Sequence, residues 1–245
     1  METDRILSME YREGYRITPL RHEMSPLEAA IAQFEVEAKA YHAKVAGPVP
    51  ESPKARQKRE SELNSALKHL KNERLKVACL AQIQARLAEY QGWGRQQAEK
   101  DPVALMDEPH HPTTVLARNM RADGRPQPSR RHSPHHIVAG KGRHPNTVRA
   151  RLNIHLAGVR INDPGNGTWM PRTKADRGHW SMPNAPAHSE IHTYNYETWV
   201  NTLVDPQIDE HAVRAVLTRL RVLLRDGQQP RQVTAPKDVH WRPTL

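Results

Sequence analysis

Only one cysteine, Cys79, occurs in 245 residues. An internal disulfide is therefore impossible, and so is a zinc finger built on cysteine. Aromatic residues make up 5% of the chain, with a single Phe. Any core must rest on Leu, Val, Ile and Ala, and with 37% hydrophobic residues it will be thin. No run of about 18 apolar residues is present, which excludes a transmembrane helix. The opening stretch METDRILSMEYREGYRI carries acids and no apolar segment, so no secretory signal is expected. The length nevertheless suffices for one large domain or two small ones.

Acidic residues are also scarce, but only in one half. Residues 1–107 hold 17 Lys/Arg against 16 Asp/Glu, a net of +1, whereas residues 108–245 hold 20 against 11, a net of +9. Nearly all of the overall charge of +10 thus lies in the second half. A concentrated basic surface attracts polyanions, of which phosphate chains are the usual case. The bland alternative is a solubilising surface or a basic tail.

Two long helices are expected first. Ser25-Pro26-Leu27-Glu28 combines a cap, a proline suited to the first turn and a glutamate able to close a capping box. Leu27, Ile31, Phe34, Ala38, Tyr41 and Val45 follow as one stripe. After Gly47-Pro48-Val49-Pro50, a second helix opens at Ser52-Pro53 and is expected to end near Gly92. Joined by so short a turn, the two should pack antiparallel. From Gly92 to Pro128 the pattern weakens, and a linker with one short helix around residues 113–120 is expected. Beyond it we expect a strand at His136–Val138, a helix at Asn146–Ala157, a turn at Asp163–Gly167 and a strand at Thr168–Met170. Helices at Ala187–Val204 and Asp209–Arg225 follow, and then a loosely held tail from Gln228.

Ten of the 15 histidines lie between His110 and His192. His188 and His192 are four apart in an expected helix, so both imidazoles would share one face and could reach one ion. His135 and His136 are neighbours at a strand. Neighbours on a strand point to opposite faces, so a metal ligand and a general base could be separated there. Taken singly, each pair is more often coincidence than a site. His110-His111 reads as linker, His179 as a further site residue in a Gly- and Arg-containing loop, and Trp169 and Trp180 as packing residues.

The ordered combination is more specific. Ser133-Pro134-His135-His136-Ile137-Val138-Ala139-Gly140 is followed by Leu156-Ala157-Gly158-Val159-Arg160-Ile161-Asn162-Asp163. Asn166-Gly167-Thr168-Trp169-Met170-Pro171 comes next, and then His188-Ser189-Glu190-Ile191-His192-Thr193 leading to Tyr196 and Val200. This order resembles the AHH family of toxin nucleases within the HNH / endonuclease VII group of ββα-metal folds, over roughly residues 113–227. Pro134 stands where the family motif has alanine. The resemblance implies His135, His188 and His192 as metal ligands, His136 as the general base and Asn166 as the residue that orients it. Three neutral imidazoles leave positions open for water and phosphate.

The fold implied is mainly α with a small α+β ββα-metal core behind an N-terminal antiparallel helical hairpin. Its expected parts are residues 1–107 for docking, delivery or scaffolding, 108–227 for the nuclease and 228–245 for the tail. Phosphodiester hydrolysis needs an activated water and charge relief, which a neutral histidine and one divalent ion (Mg, Mn, Zn or Ni) can supply. Arg143, Arg149, Arg151, Arg160, Arg172, Lys174 and Arg177 are expected to hold the nucleic-acid backbone, which positions without reading sequence. DNA is the expected substrate, and the chemistry also allows RNA.

By analogy with the family, the expected role is an antibacterial effector. It would be cytoplasmic in its producer, exported by a type VI-like route into the cytoplasm of a target cell, and paired with an immunity protein. A secretion-apparatus or chaperone partner would act through residues 1–107, and no membrane is involved. Two other readings share some of these features: a mobile-element endonuclease, and a non-catalytic module in which structural zinc supports nucleic-acid binding. A closed four-ligand site would favour the latter.

Overall fold

The structure, a computed structural model, describes residues 11–12, 15–16, 24–142, 144–207 and 209–244. Most of the N-terminal stretch read above for a signal lies outside these residues. Among the described residues no helix is long and apolar enough to cross a membrane. The chain divides into two compact units, residues 1–86 and 87–245.

In the first unit, strands β1 (Tyr11–Arg12) and β2 (Tyr15–Arg16) pair antiparallel. Helix α1 (Pro26–Ala46) starts where the sequence predicts. The Ser25 side chain accepts from the Glu28 N–H, and the Glu28 carboxylate accepts from the Ser25 N–H, which completes the capping box. Helix α2 begins at Pro53. Arg59 near its start donates to the carbonyls of Lys44, Val45 and Gly47 at the end of α1, and His69 further along meets Glu37. Contacts that run in opposite directions along the two helices confirm an antiparallel hairpin.

Helix α2 does not stop at Gly92 but runs to Lys100. A glycine inside a helix costs about 1 kcal/mol relative to alanine, and at Gly94 packing explains why it is there. A Cβ at Gly94 would lie 2.7 Å from Arg160 Cγ and 2.8 Å from the Gly158 carbonyl oxygen. The helix therefore continues because its bare face receives residues 158–160. The expected linker is likewise packed. Leu105, Leu116 and Met120 have no exposed surface, and α3 spans Thr114–Ala122.

The second unit is built around a two-stranded antiparallel ribbon, β3 (His132–His136) with β4 (Gly167–Pro171). β3 lies earlier than the sequence predicts, because its residues HSPHH include a proline and no β-branched apolar residue. A two-stranded ribbon tolerates Pro134, since each strand has one edge where no N–H is required. Helix α4 (Pro145–Leu156) joins the two strands. Beyond β4 come α5 (Tyr194–Val204) and α6 (Glu210–Arg225). Val213, Leu217, Leu220 and Leu224 form the buried stripe of α6 and close one core with Ile137, Val138, Ile154 and Trp199. α3 closes a smaller cluster of Leu116, Met120, Trp169 and Met182.

One expected helix breaks. Residues 188–190 form a single 3-10 turn, and α5 starts only at Tyr194. Thr193 caps α5 by accepting from the Tyr196 N–H, and its hydroxyl donates to the Val233 carbonyl. That capping geometry takes the chain out of helix at residues 191–193. The tail, expected to be loosely held, is tied at Val233, which is fully buried, and by Asn195 Nδ2 donating to the carbonyls of Gln232 and Pro236.

Candidate metal and catalytic centre

The ribbon presents His135 and His136 on opposite sides, as strand alternation requires. On one side, His135 Nε2 lies 2.9 Å from the Tyr196 hydroxyl, which itself donates to the Ile137 carbonyl at 2.8 Å. The tyrosine proton is thereby committed. Its oxygen must accept, so His135 Nε2 carries the proton and Nδ1 holds a bare lone pair. That Nδ1 is buried and has no hydrogen-bond partner. Leaving such an atom unpaired costs about 1–3 kcal/mol.

His188 and His192 meet His135 here. The His135 ring centre lies 4.7 Å from that of His188 and 5.4 Å from that of His192, and the last two are 4.7 Å apart. One nitrogen from each ring falls within 4.8 Å of the other two. The pair thus meets as expected, but a 3-10 turn and a bend bring it together rather than one helix face. Ser133 Oγ bonds His188 Nδ1 at 2.7 Å and leaves Nε2 available. Burial, together with the neighbouring imidazoles, holds His135 well below the usual histidine range and His188 at about 4. Burial lowers His192 as well, so all three rings favour the neutral form that a metal ligand must have. An orphaned buried nitrogen on His135 beside the imidazoles of His188 and exposed His192 fits a divalent ion.

On the other side of the ribbon, His136 Nε2 lies 3.0 Å from Asn162 Oδ1. The Asn162 Nδ2 group donates to Glu108 Oε1 at 2.9 Å and to the Pro109 carbonyl at 2.8 Å. Both acceptors require the amide nitrogen, so Oδ1 faces the ring and His136 Nε2 is the donor. Among the described residues no hydrogen bond engages His136 Nδ1. Burial lowers His136 to about 4.

Asn166 does not touch His136. Its side chain accepts from the Val138 N–H at 2.8 Å and donates to the carbonyls of Val138 and Ile161, while its own carbonyl accepts from the Ile137 N–H. It clamps the backbone that follows His136, and any orienting effect passes through that backbone. The residue in contact with the ring is Asn162, which sequence reasoning passed over although it lies in one of the matching segments.

The other expected residues divide in two groups. Arg149, Arg172, Lys174 and Arg177 are exposed, with Lys174 and Arg177 each 3.6 Å from Glu190. Arg143 lies outside the described residues. Arg151 and Arg160 are not available to phosphate. Arg151 is buried and donates to the carbonyls of Gly140 and Glu108. Arg160 is wedged against the rings of Tyr90 and Trp93, and its Nε donates to Glu108 at 2.7 Å. His179 stands beside His132, 4.8 Å between ring centres, apart from the three-histidine cluster. Trp169 is core, as expected, whereas Trp180 is 86% exposed, with its ring 5.6 Å from that of His179 between centres.

Residues 116–220 match the AHH family, described as a nuclease family of the HNH/ENDO VII superfamily with conserved AHH. No curated protein and no solved structure gives a significant match to the chain.

Proposed function

We propose that the protein is a metal-dependent nuclease that hydrolyses DNA phosphodiester bonds. One observation carries this reading: two adjacent histidines of one strand are each engaged at Nε2, His135 by Tyr196 and His136 by Asn162, and His135 alone sits in a three-imidazole cluster. The match to a nuclease family supports the same chemistry.

His135, His188 and His192 would hold the ion. Bound there, a divalent ion would supply charge relief for the scissile phosphate and the departing oxygen. All-imidazole donors suit zinc or nickel better than magnesium, which prefers oxygen. His136, neutral at physiological pH, accepts through Nδ1 a proton from the attacking water, while Asn162 keeps the other proton on Nε2. General-base help of this kind is worth about 10²–10⁴-fold. Asn166 keeps the strand exit rigid beneath that ring. Exposed Arg149, Arg172, Lys174 and Arg177 attract the phosphate chain without reading bases.

The biological role we propose is an antibacterial effector, delivered by a type VI-like route and neutralised by an immunity protein. Its near-neutral N-terminal helical hairpin would dock to the delivery apparatus or a chaperone.

The test is direct. Metal-loaded full-length protein is given linear DNA, supercoiled DNA and total RNA in parallel with His136→Ala. Loss of DNA by wild type, with no loss by the folded, metal-binding variant, is the expected result. Full DNA degradation by His136→Ala overturns the role of the base, and rapid loss of RNA with intact DNA overturns the substrate.

A further inference from the structure

We infer that Glu108, Asn162 and His136 form a carboxylate–amide–imidazole relay that positions the catalytic ring, so that a segment outside the matched region completes the site. This rests on the reading of His136 as the base. Glu108 precedes the matched stretch 116–220, and the local sequence DEPHHP carries no sign of a site.

The relay is continuous. His136 Nε2 donates to Asn162 Oδ1 at 3.0 Å, and Asn162 Nδ2 donates to Glu108 Oε1 at 2.9 Å. The Glu108 carboxylate also accepts from the Tyr90 hydroxyl at 2.6 Å and from Arg160 Nε at 2.7 Å. With three donors and a side chain 10% exposed, it is locked. A buried carboxylate that accepts from an amide whose oxygen faces an imidazole N–H fixes the polarity of the whole chain. The amide cannot flip without setting its oxygen against the carboxylate, so the imidazole must keep its proton on Nε2 and its lone pair on Nδ1.

The backbone around Glu108 is built to deliver it. The Glu108 carbonyl accepts from Arg151 Nη2 at 2.9 Å, and the Pro109 carbonyl accepts from Asn162. His110 then lies over Gly140, where a Cβ would come within 2.2 Å of His110 Cβ and Cγ. The His110 ring faces that of His136 edge-on at 6.2 Å between centres. Only a glycine at 140 lets the segment come this close.

Glu108 and Asn162 are positioning residues, so their test must read more than activity. In full-length wild type, long-range ¹H–¹⁵N spectra should show His136 as the Nε2–H tautomer, with its signals identified by their loss in His136→Ala. Glu108→Gln and Asn162→Asp should each lower kcat about tenfold or more with KM little changed. The double variant Glu108→Gln/Asn162→Asp exchanges the two groups: the amide introduced at position 108 can donate to the carboxylate introduced at position 162, which still accepts from His136. It should recover kcat above either single variant but not to the wild-type level, because a carboxylate at position 162 leaves the Pro109 carbonyl without its donor. Additive losses in the double variant, or a wild-type Nδ1–H tautomer, overturn the relay. If a single variant does not fold, recovery of folding and kcat together in the double variant supports the relay, and an inactive double variant overturns it. If His136→Ala itself cleaves normally, the reading of the base fails, and the tautomer still judges the relay.

Discussion

The Nε2 of His135 lies 2.9 Å from the hydroxyl of Tyr196, and this one contact decides which nitrogen of His135 faces the cluster. Without the hydroxyl, nothing holds the proton on Nε2, and the buried Ile137 carbonyl loses its donor. Tyr196→Phe should therefore weaken zinc binding about 10–100-fold, the usual cost of removing a partner behind a metal ligand. It should also destabilise the metal-free protein by about 1–3 kcal/mol. Calorimetric titration with zinc measures the first effect. Unchanged affinity would mean that the hydroxyl does not orient the ligand.

Metal binding should be visible as stability. An ion that binds only the folded chain stabilises it by about 2.7 kcal/mol at 100 times its Kd. Thermal melts of wild type with zinc should show this increase, and His188→Ala and His192→Ala should each reduce it strongly. Excess chelator should abolish both the shift and cleavage. Cleavage that survives the chelator contradicts the proposed centre.

His155 offers a pH handle away from the cluster. Its Nδ1 donates to the Val159 carbonyl at 3.0 Å, and its Nε2 accepts from Arg151 Nε at 3.2 Å. Burial, above all, pushes its pKa down to about 4 from 6.5. A folded pKa below the unfolded one means that the unfolded chain takes up protons first. The contribution is complete above about pH 6.5 and fades as the pH falls through 4. Between pH 7 and 4.5 it should remove about 2–3 kcal/mol. Urea unfolding of metal-free wild type and His155→Gln at both pH values isolates the effect. Parallel losses in the two proteins would assign the acid sensitivity elsewhere.

The cations around the site should separate by readout. Arg149→Ala and Arg172→Ala should weaken DNA binding for all sequences alike, each reducing the salt dependence by about one counterion. Arg160→Ala should instead lower stability by about 3–5 kcal/mol, because it strands a Glu108 carboxylate that is nearly enclosed. Filter binding across a salt series, beside melting curves, tells the two classes apart. A stable Arg160→Ala protein that has lost DNA affinity would return that residue to the phosphate surface.

Local pattern made much of this molecule legible. The capping box at Ser25, the stripe on α6 and the turn around Asn166 are short-range features, and residues within a turn or two settle them. The order of histidine segments resembled a known family, and that resemblance, rather than spacing, implied His135, which stands 53 residues before His188, as a partner of His188 and His192. Even so, the route differed: Thr193 claims the start of α5, and His188 and His192 meet across a 3-10 turn and a bend.

Tertiary packing decided what no local pattern could express. Gly92 reads as a helix stop, yet α2 continues past it to meet residues 158–160 at Gly94. Arg151 and Arg160 look like any surface cations in a basic stretch, and only the folded chain shows them bound to Glu108 and its neighbours. Asn166 has the right position in the motif, but Asn162 has the right distance from His136. Hydrogen-bond partners 26 to 54 residues apart, such as His136, Asn162 and Glu108, leave no periodicity or spacing in the chain. Which polar groups pair in a buried site depends on what the packed core leaves within about 3 Å, and that distance exists only after folding.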